Sequence, residues 1–195
     1  IEASEDPLVR RLAPKLVNSI TRAVSLCEST LAFGRAEEPA PTLTMAPLAP
    51  LVDDVVESER LATDACHVQI ENKVPVGLIL RGDPEQLFRV VLNLVRNARQ
   101  ALAATGKPGV VTIAAREDEE AWWISIEDTG PGLPSKAQEH LFQPFQGGAR
   151  KGGSGLGLAI SAELVKGHGG TLDLIRTGPD GTVFSICLPK SDGAV

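Results

Sequence analysis

The stretch Asn93-Leu94-Val95-Arg96-Asn97-Ala98, set within residues 84–104, decides how this chain is read. Asp83 offers a side-chain cap to the helix that follows. Pro84 stands at the first helical position, where its missing N–H is not needed. Leu87, Val90, Val91, Leu94, Val95 and Ala98 recur at steps of three and four, the period of a helix with one buried face. Gly106-Lys107-Pro108-Gly109 ends it. Asn93 and Asn97 are four residues apart, so their amides share one face. Amides amid so many apolar residues must find partners or cost stability. Two readings stay open here: caps for neighbouring loops, or ligands for something polar. An Asn carbonyl would suit Mg²⁺, which takes oxygen ligands and keeps several waters.

Downstream, Asp128-Thr129-Gly130-Pro131-Gly132 follows an apolar strand pattern. Alone it reads as a turn. Equally, a carboxylate accepts from an exocyclic amine, and glycines let a planar ring approach the backbone. Further on, Gly152-Gly153-Ser154-Gly155-Leu156-Gly157-Leu158 precedes a helix ending near Lys166. Glycines free N–H groups to converge, and a helix N-terminus favours phosphate. No Gly-Lys-Ser/Thr follows, so this is not a P-loop, and no βαβ unit marks it as a dinucleotide loop. Residues 146–151 are a short cationic stretch through Arg150 and Lys151, either a solvated loop or a lid touching phosphates.

Around these segments the pattern predicts a helix over 48–62 and short strands over 67–72 and 76–80, joined at Pro75. It also predicts strands over 110–116 and 122–127, a helix over 135–141 and another over 155–167. A closing hairpin over 171–175 and 182–188 crosses Gly178-Pro179-Asp180-Gly181. Helices and strands mix without a regular βαβ repeat. The expected fold is an α/β two-layer sandwich, with a mixed, mostly antiparallel sheet and its helices on one face. Upstream, Leu8, Leu12, Leu16, Ile20, Ala23, Cys27 and Leu31 form one stripe of a long helix, interrupted at Pro14, which needs partner helices. The expected organisation is a bundle piece over 1–36, a proline-rich linker over 37–47, the main domain over 48–190 and a tail over 191–195.

The chain has 195 residues, 43% hydrophobic and 23% charged, enough to bury a core without staples. A net charge of −6 argues against nucleic acid as a partner. Cys27, Cys66 and Cys187 are scattered, with no zinc or disulfide pattern. No apolar run is long enough to span a membrane, so no membrane contact is expected of this segment.

The order of the motifs carries more than each alone. The Asn-x-x-x-Asn helix, Asp-x-Gly-x-Gly, Phe142-x-Pro144-Phe145 and Gly153–Leu158 closely resemble the ATP-binding domain of sensor histidine kinases. That domain belongs to the Bergerat-type superfamily shared with type II topoisomerase ATPases, Hsp90 chaperones and MutL proteins. The resemblance covers residues 48–189 and extends to His168-Gly169-Gly170 and Gly181-Thr182-Val183-Phe184. It implies that Asn97 coordinates Mg²⁺, that Asn93 lies close to the phosphates and that Asp128 bonds the adenine amine. It implies that Gly130 and Gly132 shape the adenine pocket near Thr182, and that Lys151, Gly153, Ser154, Gly155, Leu156, Gly157 and Leu158 face the phosphates. Gln100 stands where many members carry a Lys toward the nucleotide.

In the superfamily's hydrolases a Glu activates water at the position Asn93 holds here, and an amide cannot act as a base. The site is therefore expected to hold ATP for another nucleophile. Residues 8–35 resemble the second helix of the kinase dimerisation bundle. The implied partners are a second copy of the chain and a response-regulator receiver domain. The implied place is the cytoplasm, either free or as the cytoplasmic part of a membrane sensor. The family's phosphoacceptor histidine is expected outside this chain, because His67, His140 and His168 lie off the bundle helix. The chain as given is then expected to bind ATP without autophosphorylating. The rival readings are a non-catalytic phosphotransfer scaffold, a protein-serine kinase of the anti-sigma type and an ATP-driven clamp.

Overall fold

A computed structural model describes residues 39–61, 67–144 and 155–190. The expected bundle helix and the tail lie outside the described residues, as do Lys151, Gly153, Ser154 and Phe145. In chain order the elements are β1 (Thr44–Pro47), α1 (Leu48–Leu61), β2 (Val68–Lys73), β3 (Ile79–Gly82) and α2 (Pro84–Ala103). They continue with β4 (Gly109–Glu117), β5 (Ala121–Asp128), α3 (Ser135–Gln138), α4 (Gly157–Gly167), β6 (Thr171–Gly178) and β7 (Gly181–Pro189).

Five strands form the main sheet in the order β2-β4-β5-β7-β6. Only β2 and β4 run parallel; the other neighbours are antiparallel. Alternation along β5 shows why one face is covered. Trp122, Ile124, Ile126 and Asp128 are buried, whereas Trp123, Ser125 and Glu127 are half-buried or exposed. α1 packs on β2, α2 on β4 and β5, and α4 on β6, with α2 also touching α1 and α4. The core joins Ile113, Ile124, Ile126, Ile186 and Leu188 of the sheet to Leu87, Val91, Leu94, Val95 and Leu102 of α2. Each such side chain contributes about 1.5–3 kcal/mol of burial. This is the expected two-layer sandwich.

Electrostatics fix α2 at both its flank and its start. Glu59 of α1 has no exposed side-chain surface and accepts from Arg96 Nε at 3.0 Å and Arg99 Nε at 2.6 Å. Asp83 caps α2, its Oδ1 accepting from the N–H groups of Glu85 and Gln86 at 3.0 and 3.1 Å. Burial pushes the Asp83 carboxyl up, but the N–H groups of Thr42, Gln86 and Glu85 and the nearby His168 hold it below the ordinary value.

Three local expectations need correction. The strand read over 76–80 begins at Ile79, because the Leu78 N–H closes a turn onto the Pro75 carbonyl at 3.0 Å and leaves Val76 89% exposed. The Pro75 turn does connect it to β2 along the chain, but it pairs with β1, Thr44 standing opposite Gly82 and Pro47 opposite Ile79. Residues 44–47, read as the end of a linker, are therefore part of the fold. The helix read over 135–141 is one turn, Ser135–Gln138.

Candidate functional site

α2 places Asn93 on the side that meets α4. Asn93 is half-buried, and its Nδ2 donates to Ser161 Oγ at 3.4 Å, a long bond to a fully buried hydroxyl. A Cβ added to Gly157 would sit 3.7 Å from Asn93 Cγ, so the first turn of α4 comes up against this amide. Asn97, one turn on, is half-buried and makes no side-chain hydrogen bond among the described residues. Gln100, a further turn along, is exposed.

The glycine loop enters α4 through Gly155, at φ 70°, a conformation that disfavours residues with a Cβ. Leu156 is fully buried and anchors the loop's end, its carbonyl accepting from the Ile160 N–H at 2.9 Å. Gly157 and Leu158, both half-buried, then open the helix. The first N–H groups of an α-helix have no partner within it, and the macrodipole adds partial positive charge there. Gly157 and Asn93 are thus brought together between α2 and α4, with Asn97 one turn further along α2.

Asp128 ends β5 opposite Thr182 of β7, and both are buried. Asp128 Oδ1 accepts from the Gly130 N–H at 2.7 Å, which aims the carboxylate into its own turn. The glycines around it are sterically required. A Cβ on Gly130 would lie 2.6 Å from Asp128 Oδ1 and near Leu102 of α2. Gly132 has φ 77°, and a Cβ there would collide with the Gly178 backbone. Hydroxyls tie the rim together. Thr177 and Thr182 share a hydrogen bond at 3.3 Å, and Thr177 Oγ1 accepts from the Leu133 N–H at 2.7 Å. Thr129 and Val110 exchange two bonds that clamp the turn to β4.

Two sets of residues therefore lie along one helix: the amides and glycine-opened helix beside its middle, and the acidic glycine turn beside Leu102 near its end. Their chemistry fits a nucleotide. A carboxylate among glycines accepts from an amine, a helix N-terminus receives an anion, and an Asn oxygen beside it suits a hard cation. Sequence reading missed Ser161, Thr177 and Leu102. Ser161 carries a legible signal, a lone hydroxyl four residues after Gly157 inside an apolar helix; Leu102 is indistinguishable from any core leucine. An open groove between α1 and β2, lined by Asp53, Val56, Glu57, Arg60, Ile70 and Asn72, lies apart from all of these residues.

A mixed sheet with one helical face, crossed by an amide-bearing helix between a glycine-opened helix and a glycine-bordered acidic turn, defines a nucleotide-binding α/β sandwich. Residues 82–192 match the family described as histidine kinase-, DNA gyrase B- and HSP90-like ATPases, and the chain belongs to it. Among curated relatives, the sensory histidine kinase/phosphatase NtrB of Klebsiella oxytoca is 41% identical over 117 residues, covering 55% of this chain and 32% of that protein. The sensor-like histidine kinase SenX3 of Mycobacterium tuberculosis (strain ATCC 25618 / H37Rv) is 27% identical over 194 residues, covering 96% and 47%. The chain thus spans a third to a half of the length of these relatives. Among solved structures, full-length ShkA in complex with AMPPNP matches with a TM-score of 0.75 and 25% identity, covering 100% of this chain and 41% of that one. The histidine kinase ThkA in complex with the response regulator TrrA shares the fold, with a TM-score of 0.74, 22% identity and coverage of 96% and 53%.

Proposed function

We propose that this chain binds Mg-ATP and serves as the catalytic part of a protein-histidine kinase in two-component signalling. Asp128 accepts from the adenine amine, with Gly130, Gly132 and Thr182 shaping the pocket around the ring. Asn97 holds Mg²⁺ through its amide oxygen. Asn93, Lys151, Gly153, Ser154 and the N–H groups of residues 155–158 receive the phosphates, and Gln100 borders them. The bound ion neutralises charge on the phosphoryl oxygens as transfer proceeds.

The observation that carries the choice of kinase is Asn93. It stands beside the first turn of α4, where a hydrolase needs a base, and an amide cannot take a proton from water. The site holds ATP until another nucleophile arrives, and rate comes from positioning and electrostatics. His168 does not suit that role, because it is buried with both ring nitrogens bonded. The acceptor is a histidine on a bundle helix, and the bundle pairs two copies of the chain. ShkA with AMPPNP and ThkA with a response regulator support the nucleotide and a receiver-domain aspartate as the next acceptor. Use of ATP places this segment in the cytoplasm; among the described residues no helix is long and apolar enough to cross a membrane.

The test supplies an acceptor. A kinase bundle carrying its histidine, joined upstream of this chain and given γ-labelled ATP, should yield an acid-labile, alkali-stable phosphoprotein. Labelling that survives acid, or none on a folded, ATP-binding chain, would sink the histidine-kinase reading.

A further inference from the structure

Residues 39–42 lie across the seam where α2 begins and α4 ends. The Thr42 N–H donates to Asp83 Oδ2 at 2.9 Å, and Gln86 Nε2 donates to the Pro39 carbonyl at 2.9 Å; both acceptor and donor belong to the start of α2. The ring of Pro41 lies 3.6 Å from where a Gly167 Cβ would stand, against the last residue of α4. The two helix ends are themselves bolted together. The Asp83 N–H donates to His168 Nε2 at 3.0 Å, which leaves Nδ1 to carry the ring proton and donate to the Leu164 carbonyl at 2.8 Å. Gln86 and His168 are buried, while Pro39, Ala40 and Thr42 are exposed. Two polar contacts to the start of α2 and the approach of the Pro41 ring to the end of α4, rather than deep burial, hold this segment in place.

Those helices are the pair that flanks the nucleotide site. At one end Asp83 meets His168; at the other Asn93 meets Gly157 and Ser161, so α2 and α4 run antiparallel. The two ends lie about 15 Å apart along α4, ten residues at 1.5 Å each. A helix transmits an axial shift along its whole length, because its hydrogen-bond ladder resists stretching. Phosphates held at the start of α4 fix its axial position against Asn93 and Asn97. Any slide of α4 along α2 moves Gly167 and His168 relative to Asp83 and Gln86. Residues 39–42 touch both sides of that slide.

We propose that residues 39–42 are a strap that couples the chain upstream of it to nucleotide occupancy, through the joined ends of α2 and α4. Asp83, Gln86 and His168 act in it as positioning residues. The coupling rests on the nucleotide site proposed above and adds a route by which the upstream chain acts on that site. It is reciprocal: a nucleotide that tightens the seam steadies the strap, and a strap pulled away weakens the nucleotide by the same factor.

The experiment uses the full chain, with amide exchange of Thr42 followed by NMR and AMPPNP-Mg²⁺ binding followed by calorimetry on the same preparation. Saturating nucleotide should change the Thr42 exchange rate about fivefold or more, the lower bound of ordinary coupling. His168→Asn keeps a donor for the Leu164 carbonyl and withdraws the acceptor from Asp83; Gln86→Ala removes the Pro39 anchor. Either should cut that response while nucleotide still binds. A wild-type chain that binds nucleotide with Thr42 exchange unchanged overturns the strap, as does an undiminished response in both folded variants. A folded chain that binds no nucleotide overturns the site reading instead, and the coupling with it.

Discussion

Glu59→Gln should destabilise the domain by about 2–3 kcal/mol without touching the nucleotide site. The figure follows from the surroundings of one carboxylate. Glu59 is wholly buried, and each of its oxygens accepts from a different arginine of α2. Breaking a fully buried pair by removing one charge costs about 3–5 kcal/mol, because the remaining charge is stranded. Here the Arg96 side chain is 44% exposed and Arg99 14%, so Arg96 recovers solvation by turning outward and the stranded charge is largely that of Arg99. The upper part of the range is therefore discounted. Gln retains the volume and one acceptor oxygen, so no cavity term adds to the cost. Urea unfolding followed by fluorescence of Trp122 and Trp123 should show a lower midpoint with an unchanged slope. Glu59→Met combined with Arg99→Met should recover much of the loss, since the charge that remains, that of the half-exposed Arg96, can turn to solvent. A change below about 0.5 kcal/mol for Glu59→Gln would refute the reasoning and class the cluster with surface ion pairs.

Asp83→Ala removes the α2 cap and should cost about 0.5–2 kcal/mol at pH 7, read by the same unfolding assay. The Asp83 carboxyl is held below its ordinary value of 3.8 in the fold, so its charged form stabilises the native state above that value. The gap between wild type and Asp83→Ala should shrink as pH falls below 3.8 and through the folded value, and a constant gap would contradict the assignment. At the turn between β4 and β5, the Ala121 N–H, the Trp123 indole and the Glu120 N–H hold Asp118 at about 2. Trp123→Phe withdraws the indole donor, which lies 2.7 Å from Asp118 Oδ2, so NMR titration should show the carboxyl protonating at higher pH.

What could be read in the sequence followed from local rules. Asp83-Pro84 marks the start of α2 to the residue, and the glycine-rich stretch marks the start of α4 to within two. Hydrophobic period and turn residues also delivered β4, β5 and the β6–β7 hairpin. Distant pairings did not announce themselves. Thr44-Met45-Ala46-Pro47 has little β-propensity and a proline, and becomes a strand only because β3, more than thirty residues later, offers it an edge. Nothing in the spacing of Glu59, Arg96 and Arg99 announces that they pair, because the two helices that carry them are far apart in sequence. At the site, the asparagines, Asp128 and the glycines were legible through their order. Ser161, which bonds Asn93, and Thr177, which bonds Thr182, emerge only where α4 and the hairpin close on α2 and β5.

The central claim is that residues beside α2 and at the end of β5 form one Mg-ATP site. Calorimetric titration of the wild type, Asn97→Ala and Asp128→Ala with AMPPNP and Mg²⁺ tests it most directly. Hydrogen bonds to charged groups are worth about 1.5–3 kcal/mol, so each variant should bind about ten- to a hundredfold more weakly while unfolding cooperatively like the wild type. Unchanged affinity in either folded variant would contradict the account.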